Sequence, residues 1–236
     1  MVSAVRPRSI GLIARPSLLR ISYGPLPAPT SLMTIAIIGF TVLISIIAFN
    51  NRKVFEDMLF EPFVIHARKD WFRLLTHGFI HGNYPHLFVN MFVLYMFGPN
   101  VENGLLQITG RSATLPFLVL YLAGITLSSL PAYYKHRLDP TYRAVGASGA
   151  TSAVVFASIL MYPTSTMYLL ILPIPAPAWV FGILYLGYEW YMGKRGNDGI
   201  AHDAHFAGAL VGMLFIALLE PDVVPAFFEA ITGSFR

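Results

Sequence analysis

The residues best placed to do chemistry in this chain are a serine, three histidines and an asparagine, each standing where an apolar run begins. Ser148 sits among small residues in AVGASGATSAVVFA (144–157). His86 and Asn90, in PHLFVN, are four positions apart, so a helix puts them on one face. His202 and His205 open another apolar run, in AHDAHFAG. A serine hydroxyl becomes a useful nucleophile when a base lies within about 2.6–3.2 Å, and histidine is the usual base. At a helix start, free backbone N–H groups and the positive end of the macrodipole also favour a developing oxyanion. The set therefore suits acyl transfer, with Ser148 as nucleophile and His205 as base. His86, Asn90 and the Ser148 N–H are the candidate oxyanion donors. Ser148 alone has a plainer reading, as a small residue that lets two helices pack closely.

Such a site needs elements that bring distant positions together. The chain of 236 residues is 56% hydrophobic and 12% charged, whereas soluble domains carry about 25% charge. Residues 32–49, 112–134 and 144–188 hold no charge at all. A membrane span takes roughly 20 apolar residues, and only helices or closed barrels satisfy their backbone in lipid. The runs lack a barrel's alternation. The expectation is an all-α membrane protein, a six-transmembrane-helix bundle with spans near 32–50, 84–103, 112–132, 146–162, 166–190 and 201–219. Pro173, Pro175 and Pro177 make the fifth span irregular at its start. The mixed segment between the first two spans, RKVFEDMLFEPFVIHARKDWFRLLTHGFIHG, suits the membrane interface, with Trp71 as anchor. Residues 1–31 read as a flexible cationic tail with Arg6, Arg8, Arg15 and Arg20, and 220–236 as a short C-terminal tail. The N-terminal tail suits an inside anchor, a transit-like presequence, or sequence upstream of a start at Met33. Cysteine is absent, which removes disulfides and thiolate chemistry. The modest net charge of +4 is spread over loops and gives no support to nucleic-acid binding.

With six spans, the second, fourth and sixth run in the same direction. Their N-terminal ends, which carry His86 and Asn90, Ser148, and His202 with His205, then lie near one membrane face. Small-residue stripes at Gly146/Ala150 and Gly208/Gly212 would let the fourth and sixth helices approach. Asp203 points about 100° away from His202 around a helix, so a Ser–His dyad is expected rather than a triad. His202 itself is expected to be structural or to line a water path. His77 and His81 are expected to steady the interfacial segment or feed water to the site.

Over about residues 32–219 the sequence resembles the rhomboid intramembrane serine proteases. The resemblance rests on WFRLLTHGFIH (71–81), HLFVN (86–90), GASG (146–149) and HFAGALVG (205–212), in that family's order. It implies a six-helix core, Ser148 as nucleophile, His205 as general base, and His86, Asn90 and the Ser148 N–H around the oxyanion. It implies single-pass transmembrane protein substrates cut near the membrane surface, with the lipid bilayer as surroundings and no metal or organic cofactor. The expected setting is the inner membrane of a bacterium, in a multi-pass protein. One position departs: many members have an aromatic residue four after the nucleophile, stacking on the histidine, where this chain has Ser152. Two rival readings stand beside the protease. Five histidines on one side (77, 81, 86, 202 and 205) could serve metal binding or transport, although HExxH and cysteine are lacking. A non-catalytic rhomboid-like protein that binds membrane clients is the other.

Overall fold

In a computed structural model, residues 31–168, 175–195 and 199–234 are described. The N-terminal tail and Pro173 lie outside them. The first apolar run forms α1 (Leu32–Asn50), which buries Thr34, Ile37, Thr41, Ser45 and Ala48 along one stripe. Leu32, Ile35, Phe40, Leu43, Ile46 and Ile47 stay exposed. The polarity is inverted from a water-soluble helix, whose apolar stripe faces the core. An outward apolar face is stable where the surroundings are lipid. Among the described residues, three stretches are long and apolar enough to cross a membrane: Leu32–Asn50, Thr114–His136 and His202–Leu219. The chain is an integral membrane protein, mostly helical.

Between α1 and the next long helix lie three short helices, α2 (Arg52–Met58), α3 (Pro62–Arg68) and α4 (Arg73–Thr76), followed by a 3-10 turn at His77–Phe79. Buried Arg73 locks them together. Its Nη1 donates to the carbonyls of Glu56 (2.8 Å) and Leu59 (3.0 Å) and pairs with Glu61 at 3.3 Å.

Helix α5 (Tyr84–Thr109) starts at Asn83, whose side chain accepts from His86 N at 2.8 Å, and stops at Gly110 in the left-handed region. Glu102 on α5 accepts from Thr34 N at 2.8 Å, so it secures the start of α1 rather than its own helix end. Then come α6 (Thr114–Ser128), α7 (Leu130–His136) and α8 (Ser148–Met161). The expected fifth span does not begin as a helix. Thr166–Tyr168 (β1) pairs antiparallel with Pro175–Pro177 (β2), and α9 runs from Ala178 to Arg195. Proline fixes an extended approach and lacks the N–H that a helix would use. Helix α10 (His202–Leu219) is followed by α11 (Val223–Gly233), so most of the expected C-terminal tail is helical.

Helix α8 is the centre of the molecule. Every residue from Gly149 to Met161 is buried, against α5, α6 and α10. A Cβ on Gly208 would run into the Gly149 carbonyl, and one on Gly212 into the Ala153 carbonyl. The stripe that meets α10 is therefore Gly149/Ala153, not the expected Gly146/Ala150. Gly146 lies before the helix, and Ala150 instead faces Gly124 of α6, where a Cβ would come within 2.8 Å of the Ala150 Cα.

Candidate active site

The loop leading into α8 is held by the segment between α1 and α5. Phe60 and Ala144 exchange backbone hydrogen bonds of 3.1 and 3.0 Å, and Gly146 N donates to His77 O at 3.0 Å. Ala147 N donates to His81 Nε2 at 3.4 Å. That bond leaves the His81 proton on Nδ1, which lies 3.0 Å from Ser45 Oγ, and Ser45 in turn donates to Phe79 O. Burial, with His86 as a lesser cause, lowers the His81 pKa to about 3; burial lowers that of His77 to about 4. Both rings are thus neutral structural members at ordinary pH. Gly146 has φ +114°, and a Cβ there would stand 2.5 Å from the His86 ring. Glycine is required on both counts.

This loop delivers Ser148 as the first residue of α8, where the backbone N–H groups of the first turn lack helical partners. Ser148 borders a cavity of about 30 Å³ shared with His77, Ser128, Ser129 and Ala204. Asn90 is buried; its Nδ2 donates to His86 O at 2.9 Å, and its Oδ1 is 3.2 Å from Thr151 Oγ1. Thr151 Oγ1 also lies 3.0 Å from the Ser148 carbonyl. One Nδ2 hydrogen of Asn90 thus remains for another acceptor. His86 packs over Gly146 and is close enough to His205 for their charges to interact.

His205 comes to this place through the α8–α10 contact. Gly208 sits on the Gly149 carbonyl and Gly212 on the Ala153 carbonyl, so α10 runs alongside α8, and His205, one turn before Gly208, lies near the start of α8. Among the described residues no hydrogen bond joins Ser148 to His205; such bonds are often long before substrate binds. The five sequence candidates converge on one end of α8, from α5, α8 and α10.

The sequence reading missed Glu189. Its carboxylate, 4% exposed, accepts from His202 Nδ1 at 2.6 Å and from His205 Nδ1 at 3.1 Å. A carboxylate only accepts, so both Nδ1 atoms carry hydrogen and Nε2 of His205 is its lone-pair nitrogen when the ring is neutral. Asp203, dismissed as a third member, does turn away and pairs with Lys135 at 3.0 Å. The signal for Glu189 was present: a lone carboxylate in the aromatic helix stretch YLGYEWYM, where an ionisable group is costly unless paired. Ser152, in place of an aromatic ring, lies 3.1 Å from the Tyr185 hydroxyl, one turn before Glu189 on α9.

The sequence matches the family model described as "Rhomboid domain" over residues 68–221, well over half of the chain. "RHOMBOID-like protein 12, mitochondrial" of Arabidopsis thaliana is 30% identical over 149 residues, covering 60% of this chain and 44% of the relative. "Rhomboid-like protein 11, chloroplastic", of the same plant, is 28% identical over 172 residues, 67% of this chain and 56% of the relative. The rhomboid protein YdcA of Bacillus subtilis is 32% identical over 84 residues, 36% of this chain and 38% of its own. The chain spans about half, or less, of the length of these relatives. Organellar names stand among them, so they do not favour the bacterial inner membrane expected from the sequence.

Proposed function

The chain belongs to the rhomboid family, and from that premise we propose that it is an intramembrane serine endopeptidase acting on single-pass membrane proteins near the bilayer surface. The observation that supports the reading is the seating of Gly208 on the Gly149 carbonyl, which packs the His205 end of α10 against the Ser148 end of α8. His205 Nε2 takes the Ser148 hydroxyl proton as Oγ attacks the scissile carbonyl. The Ser148 N–H, His86 and Asn90 donate to the oxyanion. His205 then passes its proton to the leaving amine, and water hydrolyses the acyl-enzyme through the same base.

The architecture that goes with this function is six spans, formed by α1, α5, α6 with α7, α8, α9 and α10. The segment 51–83 lies in the interface beside the site. Supporting it are apolar side chains left exposed on the outer helices, such as Phe88, Tyr95, Ile183, Leu184, Leu210 and Leu214. The membrane is organellar in this reading, by analogy with the plant relatives.

Cleavage of a single-pass protein with a helix-destabilised segment, co-reconstituted in liposomes, tests the proposal. Wild type cuts while Ser148→Ala and His205→Ala do not; cutting by either variant at the wild-type rate would refute it.

One observation favours metal binding as a second reading: Glu189, His202 and His205 offer ligand atoms within 4.8 Å of one another. Against it, each carboxylate oxygen already holds an imidazole Nδ1–H, and an ion would have to displace both. Extensive chelation therefore leaves peptidase activity unchanged; loss on chelation with recovery on adding zinc would favour the metal.

A further inference from the structure

We propose that Glu189 is a positioning residue that makes the Ser148–His205 pair a three-member relay, with His202 holding the carboxylate in place. The proposal rests on the peptidase reading and adds to it the group that fixes the base.

The physical argument begins with cost. Glu189 is buried within α9, between Tyr188 and Trp190, where an unpaired carboxylate would be strongly unfavourable. Two histidines of the same turn of α10 pair with it. The two oxygens are divided between them: Oε2 takes His202 Nδ1 at 2.6 Å and Oε1 takes His205 Nδ1 at 3.1 Å. The shorter bond is to the more buried ring, His202, which is 2% exposed against 17% for His205. His202 is thus the fixed post and His205 the working ring at the open edge.

This arrangement gives His205 three things a serine base needs. It sets the tautomer, since an acceptor-only group at Nδ1 leaves the lone pair on Nε2. It sets the ring plane, because Ser152 offers no ring to stack on and the nearest described ring, His202, meets His205 edge-on at 6.1 Å. It also places a negative charge beside the imidazolium that forms when the Ser148 proton arrives. Asp203 cannot substitute, because its carboxylate is engaged by Lys135 on the outer side of α10. Among the described residues Glu189 is the sole carboxylate bonded to His205.

Glu189→Gln is the discriminating change. A glutamine keeps one acceptor oxygen but turns an NH₂ toward the other histidine, so it cannot satisfy two Nδ1–H donors. The expected result is a kcat lowered about 10²- to 10⁴-fold with KM unchanged, as when the orienting carboxylate of a serine triad becomes an amide. Glu189→Asp restores part of that kcat. Nitrogen NMR of histidine-labelled wild type in detergent micelles shows His205 protonated at Nδ1 with a bare Nε2, a pattern lost in Glu189→Gln. Wild-type kcat in Glu189→Gln would overturn the proposal, and so would a wild-type His205 protonated only at Nε2. If Glu189→Gln does not fold, the wild-type spectrum alone decides. A wild type that shows the Nδ1–H pattern yet neither cleaves nor labels at Ser148 would refute the peptidase reading instead.

Discussion

At the scale of single residues, the neighbours of Ser148 separate into those that hold it and those that serve the chemistry proposed for it. Gly146 holds it: Gly146→Ala meets both a φ that side chains avoid and the His86 ring, and should cost about 1–3 kcal/mol in backbone strain alone. Asn90 keeps one uncommitted Nδ2 hydrogen; in the proposed mechanism it donates to the oxyanion, so Asn90→Ala should lower kcat on the order of 10²-fold. Equal rates would remove it from the oxyanion site. His77 and His81 give a pH dependence of stability. Their folded pKa values, about 4 and about 3, lie below the ordinary 6.5. As pH falls below about 6.5 the unfolded chain binds protons that the folded one refuses, so stability is full above that value and declines toward acid. Thermal melts in detergent at about pH 7 and about pH 5 should show the drop, and His77→Gln should lessen it. Ser148, His205, His86 and Asn90 stood out in the sequence as candidates because lipid makes any polar residue at the head of an apolar run conspicuous. Glu189 was visible as a lone carboxylate in an aromatic helix, but its pairing was not, because its partners lie 13 and 16 residues away on another helix and only packing brings them to it.

At the scale of elements, the contact between α8 and α10 decides whether the site exists. Both Gly208 and Gly212 let α10 rest on α8 backbone, but Gly208 is the one beside Ser148 and His205. Gly208→Ala and Gly212→Ala should each destabilise by about 1–3 kcal/mol through overpacking. Only Gly208→Ala should also depress kcat sharply in the fraction that stays folded, as read from melting curves and initial rates. Small-residue spacing in the sequence announced this contact yet gave the wrong partners on α8. Periodicity treats Gly146 as helical, whereas its positive φ puts it in the loop, and the true stripe begins three residues later at Gly149. The start of the fifth expected span failed for a related reason. Apolar composition from 166 to 177 says lipid or core, while Pro175 and Pro177 forbid the helix that composition alone would assign.

At the scale of the whole molecule, the proposed crossings put the entrances to α5, α8 and α10 on one face of the bilayer. The chain has no cysteine, so single cysteines can map the faces without background. Asp139→Cys and Gly199→Cys should react with an impermeant maleimide from the site side, and Arg111→Cys and Asp222→Cys from the other. Any exchange between those pairs would break the six-span arrangement. The central claim, that this bundle exists to activate Ser148, is tested most directly by a fluorophosphonate probe on purified protein in detergent. The account predicts label on wild type and none on Ser148→Ala or His205→Ala. A folded wild type that takes no label would contradict it and leave Ser148 as a packing residue of α8.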